Sequence, residues 1–170
     1  MRGVGFLVVY LSWACGAGLV VWGARTLVLD LARADARPLD AGPGSSRWFV
    51  LGSLALLLAS LALPWIGGPA ADGSGDLVLS GWQGLDVLSL GGIVMLVTLA
   101  ALLLLRPDAG DEDRRLLLDG TAACLVGVVA GNALIQLSEP AGSRLEWGAV
   151  VSLVLTALAA VLLDRSTRHA

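Results

Sequence analysis

The chain has 170 residues, of which 56% are hydrophobic and 15% charged, with a formal net charge of −3. Soluble domains carry about a quarter charged residues, and a single core of this size cannot hide so much apolar surface. A water-soluble globular fold is thus excluded, as is a nucleic-acid-binding surface, which needs clustered basic residues.

Crossing a hydrocarbon core of about 30 Å takes roughly 20 apolar residues, and five segments qualify. The first, residues 4–24, carries no charge. It holds Trp13 at depth and a small-residue run, Cys15 to Gly18, suited to docking on another subunit or on a helix of the same chain. A signal-peptide reading lacks a polar cleavage region, and a lipobox over Leu11 to Cys15 would place Trp13 beside the cleavage pair. The segment is therefore expected to be a retained span. Residues 25–47 begin as an amphipathic helical extension with Leu27, Leu29, Leu31 and Ala34. They end in Pro38 and a turn-rich run from Ala41 to Ser46.

The second segment, 48–66, is also uncharged. The loop 67–86 after it contains Asp72, Ser74 and Asp76 at the first, third and fifth positions of a calcium-type loop. Position six is Leu77 instead of Gly, and position twelve is Gln83 instead of Glu; a solvated turn is the expected outcome. Leu77 to Trp82 reads as extended. The third segment, 87–105, is uncharged again, and the connection 106–115 is short and charged.

The fourth segment, 116–137, is the most polar. Asp119 follows Arg115 by four residues, the spacing of an ion pair on a helix; a proton or cation relay is the alternative. Asn132 and Gln136 lie deeper, on one face with Gly120 and Cys124. Amides in hydrocarbon need partners, and a neighbouring helix is the usual one. Asp119, Asn132 and Gln136 are therefore the candidate intramembrane polar site. Ala123, Gly127 and Gly131 recur at steps of four. In the fifth segment, 147–163, Gly148, Ser152, Thr156 and Ala160 do the same. Small residues let backbones approach, which is what drives packing in lipid. The short connection 138–146 makes these helices antiparallel neighbours, so the two ridges are expected to face each other in a tight hairpin.

The basic residues orient the bundle. There is no lysine; with five spans, nine arginines (Arg25, Arg33, Arg37, Arg47, Arg106, Arg114, Arg115, Arg165 and Arg168) fall on one side, and Arg2 and Arg144 on the other. The positive-inside rule then puts the N-terminus outside and the C-terminus in the cytoplasm. Trp22 and Trp48 fall at the inner boundary, and Trp65, Trp82 and Trp147 at the outer one, as expected of headgroup-level tryptophan. Arginine as the sole basic residue besides His169, with heavy use of Ala, Gly and Leu, suggests a GC-rich bacterial genome and hence the bacterial cell (inner) membrane. The expected fold is an all-α polytopic helix bundle, one membrane domain over residues 1–170.

No chemistry is legible. Cys15 and Cys124 sit in apolar segments and are expected to be free thiols; with no Cys/His cluster, a metal site is not expected. The single histidine, His169, excludes a bis-histidine haem. Ser12, Ser53, Ser60, Ser89 and Ser152 have no histidine to activate them, and no phosphate-binding or zincin motif is present. The chain is read as non-catalytic and without a cofactor.

Leu63-Pro64-Trp65, a polar outer loop, then Ser80-Gly81-Trp82 opening the next span, with Glu139-Pro140 and Gly148 further on, resembles small uncharacterised multi-pass membrane proteins of high-GC Gram-positive bacteria. The resemblance covers segments two to five, about residues 47–165. It implies a four-helix unit, to which the first span is an addition, and it supplies no activity or site residue.

Small size, short loops and small-residue faces favour a structural or accessory subunit of a larger membrane assembly, with the lipid bilayer and other membrane subunits, or a second copy, as partners. The alternative is a component of a small-solute or ion transporter with its polar path on the fourth helix. That reading lacks the broken helices and repeats usual in transporters.

Overall fold

The structure is a computed structural model that describes residues 2–33, 45–69, 75–105, 111–138 and 144–168. Five long helices dominate: α1 (Arg2–Arg33), α2 (Ser45–Ser60), α4 (Val87–Leu105), α5 (Asp111–Leu137) and α6 (Trp147–Arg168). A short helix, α3 (Gly81–Gly84), and three strands, β1 (Pro64–Pro69), β2 (Asp76–Ser80) and β3 (Arg144–Leu145), complete the described chain. The third segment appears with the expected ends. The first, fourth and fifth run on past their apolar cores, because the added stretches 25–33, 111–115 and 164–168 contain neither proline nor glycine to stop the helix.

Two expectations are corrected. The second segment does not stay helical to residue 66. After Ser60 the backbone tightens into i to i+3 bonds, with Leu61, Ala62 and Leu63 amides donating to Leu58, Ala59 and Ser60 carbonyls at 3.0–3.2 Å. Pro64, which has no N–H to continue a helix, then opens β1. The bundle is also not purely helical. β1 pairs antiparallel with β2 (Ile66 opposite Leu79, Gly68 opposite Leu77) and with β3 (Ile66 opposite Leu145, Gly67 opposite Arg144) in the order β2-β1-β3.

This sheet gathers the C-terminal end of α2 and the N-terminal ends of α4 and α6 at one end of the molecule. Cross-links in the backbone fix it: the Trp82 amide donates to the Leu61 carbonyl at 3.1 Å, and the Glu146 amide to the Trp65 carbonyl at 2.9 Å. Arg144 reaches across to Asp76 at 3.1 Å and to Glu146 at 2.8 Å. Those bonds, to Glu146 first and then to Asp76, raise the guanidinium pKa above its usual value. Gly67 lies beneath this group; a side chain there would strike the Glu146 carboxylate.

α5 touches α1, α4 and α6, and α2 packs on α6 and α4. The core is built from Leu54 and Leu57 of α2, Leu61 just after it, Ile93, Leu96 and Leu103 of α4, Leu117, Leu118 and Leu125 of α5, and Trp65 of β1. The outward faces are apolar too: Val4, Leu7 and Val21 on α1, Phe49 and Leu56 on α2, and Val150, Val154 and Leu158 on α6 are exposed. A helix hydrophobic all round belongs in a large core or in lipid. Three helical stretches are long and apolar enough to cross a membrane, Gly3–Thr26, Val87–Leu105 and Glu112–Leu137; Trp48–Ser60 and Trp147–Leu163 are shorter apolar helices. Such helices point to a membrane-associated protein.

Of the tryptophans placed at boundaries by sequence, Trp48, Trp82 and Trp147 are exposed, but Trp65 is 1% exposed and part of the core. It fills the space under the sheet and is not a headgroup anchor. Most of the stretch from Asp72 to Asp76, and the Glu139-Pro140 turn, lie outside the described residues.

Candidate functional site

The small-residue ridges are real packing surfaces, but they do not face each other. On α5, a side-chain carbon at Gly127 would overlap the Ser12 hydroxyl of α1. One at Gly131 would come within 2.7 Å of Val9 Cγ2 and 3.2 Å of the Gly5 carbonyl oxygen. A side-chain carbon at Gly5 would meet the same surface from the other side, 3.0 Å from the Gly131 carbonyl oxygen, and one at Gly120 would meet Leu19. Residue number rises along α1 as it falls along α5, so the two helices are antiparallel. Ala123 is exposed and takes no part.

On α6, a side chain at Gly148 would run into the Pro64 carbonyl and Leu63. Ser152 faces α2, its Oγ 2.7 Å from Ser60 Oγ. Thr156 is buried and donates to the Ser152 carbonyl at 2.7 Å, and Ala160 is packed at the edge of the core. α5 and α6 do touch, as the short connection requires. Each ridge is spent on a different helix because the closest approach goes where both partners are small: Gly5 and Ser12 opposite Gly131 and Gly127, Ser60 opposite Ser152.

The polar candidates separate in the same way. Asp119 is exposed, and no ion pair joins it to Arg115, which is exposed as well. Both side chains are near enough to water that pairing gains little. Asn132 is 4% exposed and donates from Nδ2 to Ser89 Oγ on α4 and to the Val128 carbonyl, both at 2.9 Å. Ser89, fully buried, donates in turn to Asp86 Oδ2 at 2.6 Å. The other carboxylate oxygen of Asp86 accepts the Leu88 and Ser89 amides at 2.9 Å, an N-cap on α4 that satisfies orphan donors. Gln136 is half-buried one turn further along α5.

The result is a line of hydrogen bonds in which a buried amide donates to a hydroxyl and the hydroxyl to an exposed carboxylate. At its inner end the amide also donates to a carbonyl of its own helix. A second, separate pair joins α2 to α6. Ser60 Oγ also lies 2.7 Å from the Leu57 carbonyl and Ser152 Oγ 2.9 Å from the Gly148 carbonyl. Two hydroxyl protons serve three positions, so one serine donates across the interface while the other donates within its own helix. The buried serine hydroxyls and the Asn132 amide thus find protein partners, as hydrocarbon demands.

The contribution of Asp86 and Ser89 is missed by sequence reasoning. The signal present is an acidic residue one position before an apolar run with Ser three residues later. Cys15 and Cys124 are free, the first exposed and the second buried. No family model matches the chain, and no curated protein or solved structure matches it.

Proposed function

We propose that the chain is a five-span protein of the bacterial cell membrane, N-terminus outside and C-terminus cytoplasmic, and that it serves as a non-catalytic structural or accessory subunit of a larger membrane assembly. The observation that carries the reading is α1. It docks on the bundle through a narrow strip of small residues, while Val4, Leu7, Tyr10, Leu11 and Val21 stand uncovered along the rest of it. Lipid or a second membrane protein is the natural cover for such a face.

The alternation of helix directions supports the five spans: α1 runs against α5, and α2 and α5 both end at the sheet from which α4 and α6 begin. The nine-to-two arginine split supports the orientation. The line Asp86–Ser89–Asn132 favours a second reading, a transporter component, because it leads inward from an exposed carboxylate. Its termination on the Val128 carbonyl weighs for the first reading.

Affinity purification of the full chain in mild detergent separates the two. Stoichiometric recovery of other membrane subunits is the expected result. A monodisperse homo-oligomer that moves ions or small solutes in liposomes would replace the accessory-subunit reading with the second.

A further inference from the structure

We propose that the groove between α1 and α4 holds one acyl chain of an anionic phospholipid from the cytoplasmic leaflet, an inference that rests on the membrane-spanning reading above. One wall is Gly16, Val20 and Ala24 of α1; the other is Met95, Leu99 and Leu102 of α4. The wider part encloses about 200 Å³. The hydroxyl of Thr98, in the same wall, donates to the Val94 carbonyl of its own helix at 2.8 Å, so its proton is not offered to a ligand. The lining therefore selects hydrocarbon over any polar solute.

The ends of the groove say which hydrocarbon. Trp13 closes one end, its indole lying 3.2 Å from the point where a Gly92 side chain would begin. From Gly92 to Leu102 is ten residues, about 15 Å along a helix, which is half of a hydrocarbon core of about 30 Å. A partner helix crossing the whole bilayer would need the groove to continue past Trp13. The chain of a single lipid, anchored in one leaflet, stops at the midplane. At the open end the residue after Ala24 is Arg25, exposed and without an ion pair to any described residue. A cation at the headgroup level selects an anionic lipid. Trp13, the one tryptophan that the arginine map leaves at depth, is accounted for as the stop at the end of the chain.

Native mass spectrometry of the full chain extracted from vesicles of equal parts phosphatidylglycerol and phosphatidylcholine tests this. One retained phosphatidylglycerol per chain is expected, favoured over phosphatidylcholine roughly fivefold, the effect of one arginine near the surface. Ala24→Phe, which fills the mouth, should lose the bound lipid. Arg25→Gln should keep a lipid but lose the preference, and Ala55→Phe, on the exposed face of α2, should change neither. An intact chain without bound lipid, or Ala24→Phe retaining it like the parent, overturns the proposal; so does a two-chain species that Ala24→Phe dissolves. A chain that does not fractionate with membranes at all would instead sink the membrane-spanning reading.

Discussion

Gly131 and Gly91 are both helical glycines with opposite surroundings. A side chain at Gly131 meets backbone atoms of α1, whereas at Gly91 there is nothing within 4 Å. Overpacking costs about 1–3 kcal/mol, and replacing an unencumbered helical glycine with alanine returns up to about 1 kcal/mol. Gly131→Leu should therefore lower the thermal midpoint in detergent, and Gly91→Ala should leave it unchanged or raise it. An unchanged midpoint for Gly131→Leu would mean that α1 does not sit on this ridge. The Ser89–Asn132 bond admits a finer measurement. Interhelical hydrogen bonds in membranes average about 0.6 kcal/mol by mutant cycles; the cycle of Ser89→Ala and Asn132→Ala should return a coupling of that order. A coupling of zero would make Asn132 a residue held by its own helix alone. Asn132 was legible as a buried amide needing a neighbour, since hydrocarbon leaves it no alternative. Asp119 was misread because spacing on a helix permits an ion pair without providing any reason, near water, for it to form.

At the scale of elements, helix lengths follow from the apolar runs, and α4 shows this most plainly: nineteen residues without a charge become a helix with those same limits. What the sequence leaves open is which helix stands opposite a given face. A stripe at steps of four identifies a face; the partner depends on where another small stripe lies, anywhere in the chain. Connection length singled out α6 for the ridge of α5, whereas Gly5, Val9 and Ser12 of α1, over a hundred residues away, meet it. In a background of Cys15→Ala and Cys124→Ala, the pair Gly5→Cys and Gly131→Cys should crosslink with a short reagent. The pair Gly131→Cys and Gly148→Cys, which a ridge-to-ridge hairpin would bring together, should not. The reverse pattern would restore the hairpin and detach α1. The strands were half legible: of the stretch Leu77 to Trp82 expected to be extended, Leu77 to Ser80 is strand while Gly81 and Trp82 open α3. Pro64 and Trp65 were counted as helix because their neighbours are apolar, and hydropathy does not separate a buried strand from the end of a span.

For the molecule as a whole, the sheet and the arginines speak to the same end-to-end asymmetry. The strands lie at one end, with the N-terminal ends of α4 and α6; most of the basic residues fall in the sequence toward the other ends of the long helices, and Arg144, on β3, is held at the sheet by Asp76 and Glu146. Reporter fusions after Ser74 and after Gly110 should accordingly report the outer and the cytoplasmic side. The same side for both would remove a span and with it the five-span proposal.

The α1–α5 contact also has a consequence in time. The helix made first rests against one made fourth, so α1 must wait while roughly a hundred residues are added, some 5–20 seconds at ordinary rates of synthesis. During that interval its strip of Gly5, Val9 and Ser12 has no partner within the chain. A nascent α1 is thus open to a chaperone or to another copy still being made, and the arrival of α5 ends the opportunity. Chains stalled before residue 111 should associate through α1, and chains completed past residue 137 should not.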